Sequence, residues 1–474
     1  MDLKKNVIPE KVQKIHLTAI CGTAMGALAC MLKDLGYHVS GSDHKVYPPM
    51  STFLTRKGIQ IADGFHAENV SHAPDLVIIG NTIKKENPEV AAVREKGIPF
   101  CSMPQALNHF AAKGKKALLI AGTHGKTTTS SLLAWVLTHA GLDPSFMIGG
   151  ILKNFDSNYR LGQGTYIVIE GDEYDTAFFD KGPKFMHYAP EVAALTSVEF
   201  DHADIFQDIS HVRRIFKGFI DALPRQSTLI AFDADTNIDG LVLKNSDRVL
   251  RYGRALESPW RLGSVSIRPP EIDFEVFKKG ARFGQFKTRL PGEHNLFNIL
   301  AVIAMADQLE IPASVIAEAL LRFDGVKRRQ ETRGIRRGIT VMDDFAHHPT
   351  AVRETIRALK PFYPKGRVIA VFEPRTNSSM RDIFQDIYPE SFDDADLICI
   401  RHPPLLEKIP AGHRFSSERL VEDLKRRGKT AYYFLNTDAI IEFLTSEARS
   451  GDLLLIMSNG GFDNIHERLL EHLT

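Results

Sequence analysis

The chain has 474 residues, 25% of them charged, and a formal net charge of +1. That length exceeds one core and implies about three domains of roughly 150 residues, while the near-zero charge balance offers no field to draw nucleic acid or a membrane surface. Four cysteines (Cys21, Cys30, Cys101, Cys399) lack CxxC spacing, which argues against a zinc site or disulfide framework and for a reducing compartment.

The opening MDLKKNVIPEKVQK is polar, unlike a signal peptide, and no run reaches the ~20 apolar residues of a membrane helix, so a soluble, cytoplasmic protein is expected. From Lys14 an apolar strand, IHLTAI, runs into Cys21-Gly22-Thr23-Ala24-Met25-Gly26 and a helix-like ALACMLKDLGY. A second strand, HVSGSD, ends at Asp43. Strand, glycine turn, helix, strand and terminal acid fit the opening of a dinucleotide-binding unit, although GTAMG is GxxxG and not GxGxxG. The turn alone leaves NAD, another nucleotide or no ligand open. DLVIIG, followed by Asn81, and IPFCS extend a parallel sheet, so residues 1–112 read as a small Rossmann-like domain. His66 reads equally well as a surface histidine.

The middle of the chain opens with KKALLIAGTHGKTTTSSLLAWVL from Lys115. An apolar strand ends abruptly in Gly122-Thr123-His124-Gly125-Lys126-Thr127-Thr128 and a helix follows, the order a phosphate cradle requires. Gly122 and Gly125 let backbone amides turn toward phosphate oxygens, the helix start adds partial positive charge, and Lys126 adds a full one. The loop is a variant, because GxxxxGK[ST] would place its first glycine at Ile120. ATP is the expected nucleotide and the Thr127 hydroxyl the expected Mg²⁺ ligand.

Strand YIVIEGDEYD then carries Glu170, Asp172, Glu173 and Asp175, crowded carboxylates that a Mg²⁺ ion would relieve. VAALTSVEFDHADIF repeats the design with Glu199, Asp201, His202 and Asp204. Residues 240–285 suggest an antiparallel edge. GEHNLFNILAVIAMADQL is helical, with Asn295 near its start, and DGVKRRQE sets Arg328 and Arg329 near a domain junction.

A third α/β unit begins near residue 330. The strand reading ITVMDDFAHHPTAV, helix RETIRALKPFY and strands RVIAVFEPR, ADLICI, AYYFL and DLLLIMSNGGF imply another doubly wound sheet. Its strand ends carry Asp343, Asp344, His347 and His348, then Glu373, Arg375 and Asn377, then Ser458, Asn459 and two glycines, as a binding crevice would.

AGTHGKTTTS, IEGDEYD, EFDHAD, GEHNLFN, KRR and DDFAHHPT together resemble the ordered motif set of the Mur ligases, which join amino acids or peptides to UDP-N-acetylmuramate precursors of peptidoglycan. ICGTAMGALA, SGSDHKVYPPMST, HADIF, FEPRTNSSM and MSNGGFDNIHERLL resemble the recycling branch, which attaches L-alanyl-γ-D-glutamyl-meso-diaminopimelate to UDP-N-acetylmuramate, more than the branch that adds L-alanine. The DNPR motif of the diaminopimelate-adding branch is absent.

The resemblance implies three α/β domains: a Rossmann-like UDP-sugar domain (1–112), a central P-loop domain (113–329) and a Rossmann-like peptide domain (330–474). It implies ATP and Mg²⁺ as cofactors, with Gly122 to Thr128 around the phosphates and Lys126 on the transferring group. Thr127 and Glu170 would hold one Mg²⁺ and His202 would help bind a second. Asn295 and Arg329 are implied nucleotide contacts, with Asp344 and His348 from the third domain. Gly22, Thr23, Ala24, Met25, Gly26, Ser42, Asp43, His66 and Asn81 are the implied UDP-sugar residues, replacing the NAD reading. Arg375, Asn377, Ser458 and Asn459 are the implied acceptor residues.

The lysine that several family members carbamylate falls on Phe216, beside Lys217. Lys126, His202 and His348 are the expected catalytic residues, His348 as proton acceptor from the amine or as a phosphate contact. UDP-N-acetylmuramate and a murein tripeptide are the expected partners, with no nucleic acid and no membrane, for a monomer or weak homodimer. An L-alanine ligase, an NAD-dependent oxidoreductase and an ATP-binding module without turnover are the rival readings.

Overall fold

The computed structural model describes residues 3–44, 46, 50–242 and 247–473; Lys45, Tyr47, Pro48 and Pro49 of the SGSDHKVYPPMST stretch lie outside them. The chain forms two compact units, Met1–Val198 with Arg213–Trp260 and Ala301–Ala319, and Glu199–Val212 with Arg261–Leu300 and Leu320–Thr474.

The first unit opens with β1 (Lys14–Thr18), α1 (Thr23–Asp34), β2 (His38–Asp43), α2 (Met50–Arg56), β3 (Gln60–Asp63), β4 (Leu76–Ile79), α3 (Pro88–Glu95), β5 (Phe100–Ser102) and α4 (Met103–Phe110). Its strands form a parallel sheet ordered β3-β2-β1-β4-β5. All four residues of β4 are buried, as expected of a parallel strand covered on both faces. Local chemistry sets the helix starts: Asn87 accepts from the Glu89 N–H to cap α3, and Ser102 with Gln105 forms a capping box on α4.

A second sheet in this unit is built from β6 (Lys116–Ala121), β7 (Ser145–Leu152), β8 (Ser157–Arg160), β9 (Tyr166–Glu170), β12 (Val192–Leu195), β13 (Thr228–Phe232) and β14 (Val249–Gly253). The order is β14-β13-β12-β6-β9-β7-β8, parallel except for β8. Helix α5 (Lys126–His139) follows β6, and β10 (Asp175–Ala177) with β11 (Asp180–Pro183) forms a small hairpin after β9. α6 (Ile209–Ala222) and α7 (Thr236–Asp239) complete this stretch.

In the second unit β15 (Trp260–Arg268) lies beside β16 (Glu271–Lys278), which pairs antiparallel with β17 (Ala281–Thr288). Helix α8 (Glu293–Gln308) begins in this unit and runs into the first, which also holds most of α9 (Ala313–Leu321). The remaining elements are β18 (Glu331–Arg336), β19 (Ile339–Asp344), α10 (Pro349–Leu359), β20 (Val368–Phe372), α11 (Tyr388–Ser391), β21 (Leu397–Arg401), α12 (Ser417–Arg426), β22 (Ala431–Phe434), α13 (Thr437–Glu447), β23 (Leu453–Met457) and α14 (Ile465–His472). The sheet order is β18-β19-β23-β20-β21-β22, with β18 antiparallel and the rest parallel.

Alternation along β20 shows how this sheet is covered. Val368, Ala370 and Phe372 pack with Val352 and Phe392, whereas Ile369 and Val371 pack with Ile440 and Leu469. The stretch ITVMDDFAHHPTAV is not one strand: β19 stops at Asp344, and His348 caps a helix whose first residue is Pro349. Proline at the first helical position has no N–H to lose, which is why the helix begins there. Among the described residues no helix is long and apolar enough to cross a membrane.

Candidate active site

Topology places the phosphate loop. It leaves β6 at Ala121, with β9 on one side ending in Glu170 and β12 on the other ending in Leu195. Residues just past β12 shape the loop: the Thr123 N–H donates to Ser197 O (2.9 Å), the His124 N–H to Ser197 Oγ (2.8 Å), and the Thr196 hydroxyl to His124 O (2.5 Å). Gly122 has φ +134°, and a Cβ there would lie 2.3 Å from Thr196 Oγ1, so only glycine fits. Gly125, at φ +80°, precedes the first turn of α5, which aims its amides at the loop.

Lys126 is folded back on this loop. Its Nζ donates to Gly122 O (2.6 Å) and Thr123 O (3.2 Å) and lies 2.8 Å from Glu173 Oε2. Burial works against the ammonium charge, but the Glu173 carboxylate outweighs it and holds the Lys126 pKa above the ordinary lysine value.

The acidic run after β9 is therefore not one cation cluster. Asp172 faces Lys184, Glu173 faces Lys126, and Asp175 faces Lys181 (2.9 Å). Glu170 differs: one oxygen accepts from the Thr127 hydroxyl (2.9 Å) and the other from the Gly149 N–H (2.7 Å). The Thr127–Glu170 pair presents the hard oxygen atoms that Mg²⁺ takes. Phe216 is fully buried and packs on Phe185 at 5.4 Å between ring centres, while Lys217 pairs with Asp221.

In the first sheet the crevice at the switch between β1 and β4 receives the glycine turn. Gly22 and Thr23 are exposed and Ala24 is half-buried, but Met25 and Gly26 belong to the core of α1, where a Cβ on Gly26 would lie 2.5 Å from Met50 Cε. These two residues pack the helix. Asp43 closes the turn by accepting from the Cys21 N–H (2.9 Å). Ser42 is turned into the fold. It is fully buried and donates to Glu89 Oε2 (2.8 Å) in a network with His16 and Asn69, because both faces of β2 are covered. His66 and Asn81 are exposed.

The second unit holds the other expected residues. Asp201 is buried, lies 3.6 Å from His347 Nε2 and accepts from the His202 N–H (2.7 Å). Burial pulls its pKa up, but the His347 hydrogen bond and the neighbouring His202 and His348 outweigh that and hold it well below the carboxylate range. His202 takes φ +54°, uncommon for a non-glycine residue, which brings its Nε2 to 3.9 Å from Asp201 Oδ2.

His348 accepts the Thr350 N–H at Nδ1 (3.2 Å), and its Nε2 sits 3.1 Å from Phe200 O. With the Nδ1 lone pair in use, Nε2 carries the proton and donates. These contacts tie the start of α10 to the 199–201 segment.

Asn295 and Asp344 are likewise turned to the fold. Asn295 donates to Pro291 O (2.7 Å) and Gln330 Oε1 (3.2 Å), and Asp344 accepts from the N–H groups of Gln330 and Ala346 (both 2.8 Å). Burial raises the Asp344 pKa despite these bonds and Arg329. Arg329 lies over the Phe345 ring at 4.7 Å. The register sets Asp344 and Phe372 opposite Met457, so Asp344, Glu373, Arg375, Ser458 and Asn459 gather at one carboxyl edge; Asn377, exposed, donates to Asp204 Oδ2 (3.1 Å).

Sequence reasoning missed three kinds of residue. Ser197 and Thr196 carry no motif, Glu173 is one of four like acids in a row, and Arg401 is signalled only by a charge that ends the apolar strand LICIR.

A P-loop with a Thr–Glu oxygen pair, in a chain built of α/β sheets whose loops leave the carboxyl ends of parallel strands, defines an ATP-using enzyme of modular build. Three family descriptions match in order: the Mur ligase family catalytic domain over residues 14–115, the Mur ligase middle domain over 120–306, and the Mur ligase glutamate ligase domain over 328–460. The chain belongs to the Mur ligase family, and is an ATP-dependent ligase that forms an amide bond.

It is 40% identical to the UDP-N-acetylmuramate–L-alanyl-γ-D-glutamyl-meso-2,6-diaminoheptandioate ligase of Escherichia coli, covering 97% of this chain and 98% of that one. It is 34% identical to the UDP-N-acetylmuramate–L-alanine ligase of Geobacter sulfurreducens, over 98% of each. Among solved structures it is similar to a murein peptide ligase from Psychrobacter arcticus, with 32% identity, a TM-score of 0.71, and coverage of 98% of this chain and 99% of that one.

Proposed function

We propose that this protein joins the tripeptide L-alanyl-γ-D-glutamyl-meso-diaminopimelate to UDP-N-acetylmuramate, in peptidoglycan recycling. The observation that carries the reading is the end-to-end likeness to the Escherichia coli tripeptide ligase, at 40% against 34% for the L-alanine ligase. The domains are taken as 1–112 for the UDP-sugar, 113–329 for ATP and 330–474 for the peptide.

A carboxylate is a poor acylating agent, so the lactyl carboxylate of the UDP-sugar first accepts the γ-phosphoryl group of ATP, with ADP leaving. The peptide amine then attacks the acyl phosphate, forming the amide bond and expelling phosphate. Lys126 leaves Glu173 to neutralise charge on the transferring group, and the loop amides fixed by Thr196 and Ser197 hold the phosphates. Thr127 and Glu170 would hold Mg²⁺, with His202 as a donor toward a second ion; bound there, the metal supplies charge neutralisation. Gly22 to Ala24 and Asp43 shape the UDP-sugar end, and Arg375 and Asn459 the acceptor end.

The test is incubation with ATP, Mg²⁺ and UDP-N-acetylmuramate plus either tripeptide or L-alanine, reading phosphate release and product mass. Tripeptide product is expected. Product with L-alanine alone would move the protein to the other branch.

A further inference from the structure

Glu373 sits at the end of β20 with no exposed surface, an unusual place for a carboxylate unless charged partners hold it. Three groups converge on it. Ser458 donates its hydroxyl to Oε1 (2.6 Å), Arg401 donates to Oε2, and Arg375 Nη1 lies 3.5 Å from that same oxygen.

Arg401 is itself buried at the end of β21, and its second nitrogen donates to Asp463 Oδ2 (2.7 Å). Asp463 lies inside a run of three non-glycine residues in the left-handed region, Phe462 (φ +46°), Asp463 (φ +49°) and Asn464 (φ +55°). Such backbone persists only where surrounding bonds over-determine it, and strain of this kind clusters at ligand sites. Here the bonds are explicit. Arg401 and the Thr437 hydroxyl (2.8 Å) hold Asp463, and Arg328 donates to Ser458 O (2.6 Å) and Gly460 O (2.7 Å).

Arg375 differs from the arginines around it. Among the described residues its one ion pair is the long contact to Glu373, and its side chain is 31% exposed. It crosses the turn where a Cβ on Gly460 would come within 2.3 Å of its Cδ, so the glycine is what lets it pass. A guanidinium has five N–H donors in a planar fork that matches a carboxylate. One anchored by a single long contact keeps most of them for a ligand.

We infer that Glu373 is a positioning residue: with Arg401, Ser458 and Asp463 it fixes the strained 458–464 turn and aims Arg375 at a carboxylate of the acceptor peptide. The inference rests on the tripeptide reading. That acceptor carries three carboxylates, one on the γ-linked glutamyl residue and two on diaminopimelate, whereas L-alanine has only its own.

The test compares the full-length enzyme with its Glu373→Gln and Ser458→Ala variants, each checked by circular dichroism. ATP, UDP-sugar and acceptor are varied in turn, the acceptor being the tripeptide or its form with diaminopimelate carboxylates amidated. For Glu373→Gln the tripeptide KM is expected to rise about tenfold, kcat and the other two KM values to change less than about threefold, and the preference over the amidated peptide to shrink. A tripeptide KM unchanged, or a loss spread equally over kcat and all three KM values, would overturn the inference. Should Glu373→Gln not fold, Ser458→Ala decides by the same criterion with a smaller rise. A wild-type enzyme without tripeptide ligation would instead refute the functional proposal, so the two failures read differently.

Discussion

Lys126 and Glu173 form the contact whose chemistry is most exposed to test. A phosphate chain must take the ammonium away from a carboxylate that is 3% exposed, so Glu173 competes with nucleotide for Lys126. Its own negative charge also repels phosphate. Both effects have one sign, and Glu173→Gln is expected to bind ATP about three to ten times more tightly, measured as Kd by calorimetry. Unchanged or weaker binding would show that Glu173 orients the lysine and does not restrain it. That pairing was hidden in the sequence for a physical reason. Glu170, Asp172, Glu173 and Asp175 look alike in a row, yet the lysines that neutralise three of them lie at 126, 181 and 184, and only the folded chain decides which acid meets which. The place of His348 was hidden likewise: only the helix start at Pro349 shows that its Nδ1 accepts the Thr350 N–H.

Elements were far more legible than contacts. Glycine punctuation after apolar runs located the loops following β1 and β6, and alternation of strands with helices implied parallel sheets with working loops at their carboxyl ends. Buried strands defeat finer reading, because with both faces covered period-2 alternation no longer says where a side chain points; Ser42 is the case in hand. Its partners His16 and Glu89 tie β1 and β2 to α3, and Asn69 donates to the other Glu89 oxygen (2.6 Å). Burial raises the Glu89 pKa, but hydrogen bonds from His16, Asn69 and Ser42 outweigh it and leave the pKa below the ordinary 4.5. A carboxylate with a depressed folded pKa binds more protons when unfolded, so its stabilisation is full above about pH 5 and is lost as pH falls through 4.5 and below. Glu89→Gln is expected to cost about 1–3 kcal/mol at pH 7 by chemical denaturation, and the gap should narrow at pH 4. A gap that widened in acid would reverse the sign of this coupling.

At the scale of the molecule, the residues divide by task. Those proposed to handle phosphate, Gly122 to Thr128 with Glu170, belong to the first compact unit, and the turn that frames Arg375 belongs to the second. Carboxylate activation and amine addition are successive steps with separate demands, so damage to the second group should leave the first step intact. The acyl phosphate is an electrophile that hydroxylamine attacks, giving a hydroxamate and phosphate with no peptide needed. Arg375→Ala is expected to keep hydroxamate formation from ATP and UDP-N-acetylmuramate within about threefold of wild type while tripeptide ligation at low acceptor concentration falls about a hundredfold. Lys126→Ala should lose both, since without the ammonium neither step has an activated carboxylate to work on. Equal loss of hydroxamate and ligation in Arg375→Ala would place that guanidinium in the phosphoryl-transfer step, and the division of labour between the two units would fall with it.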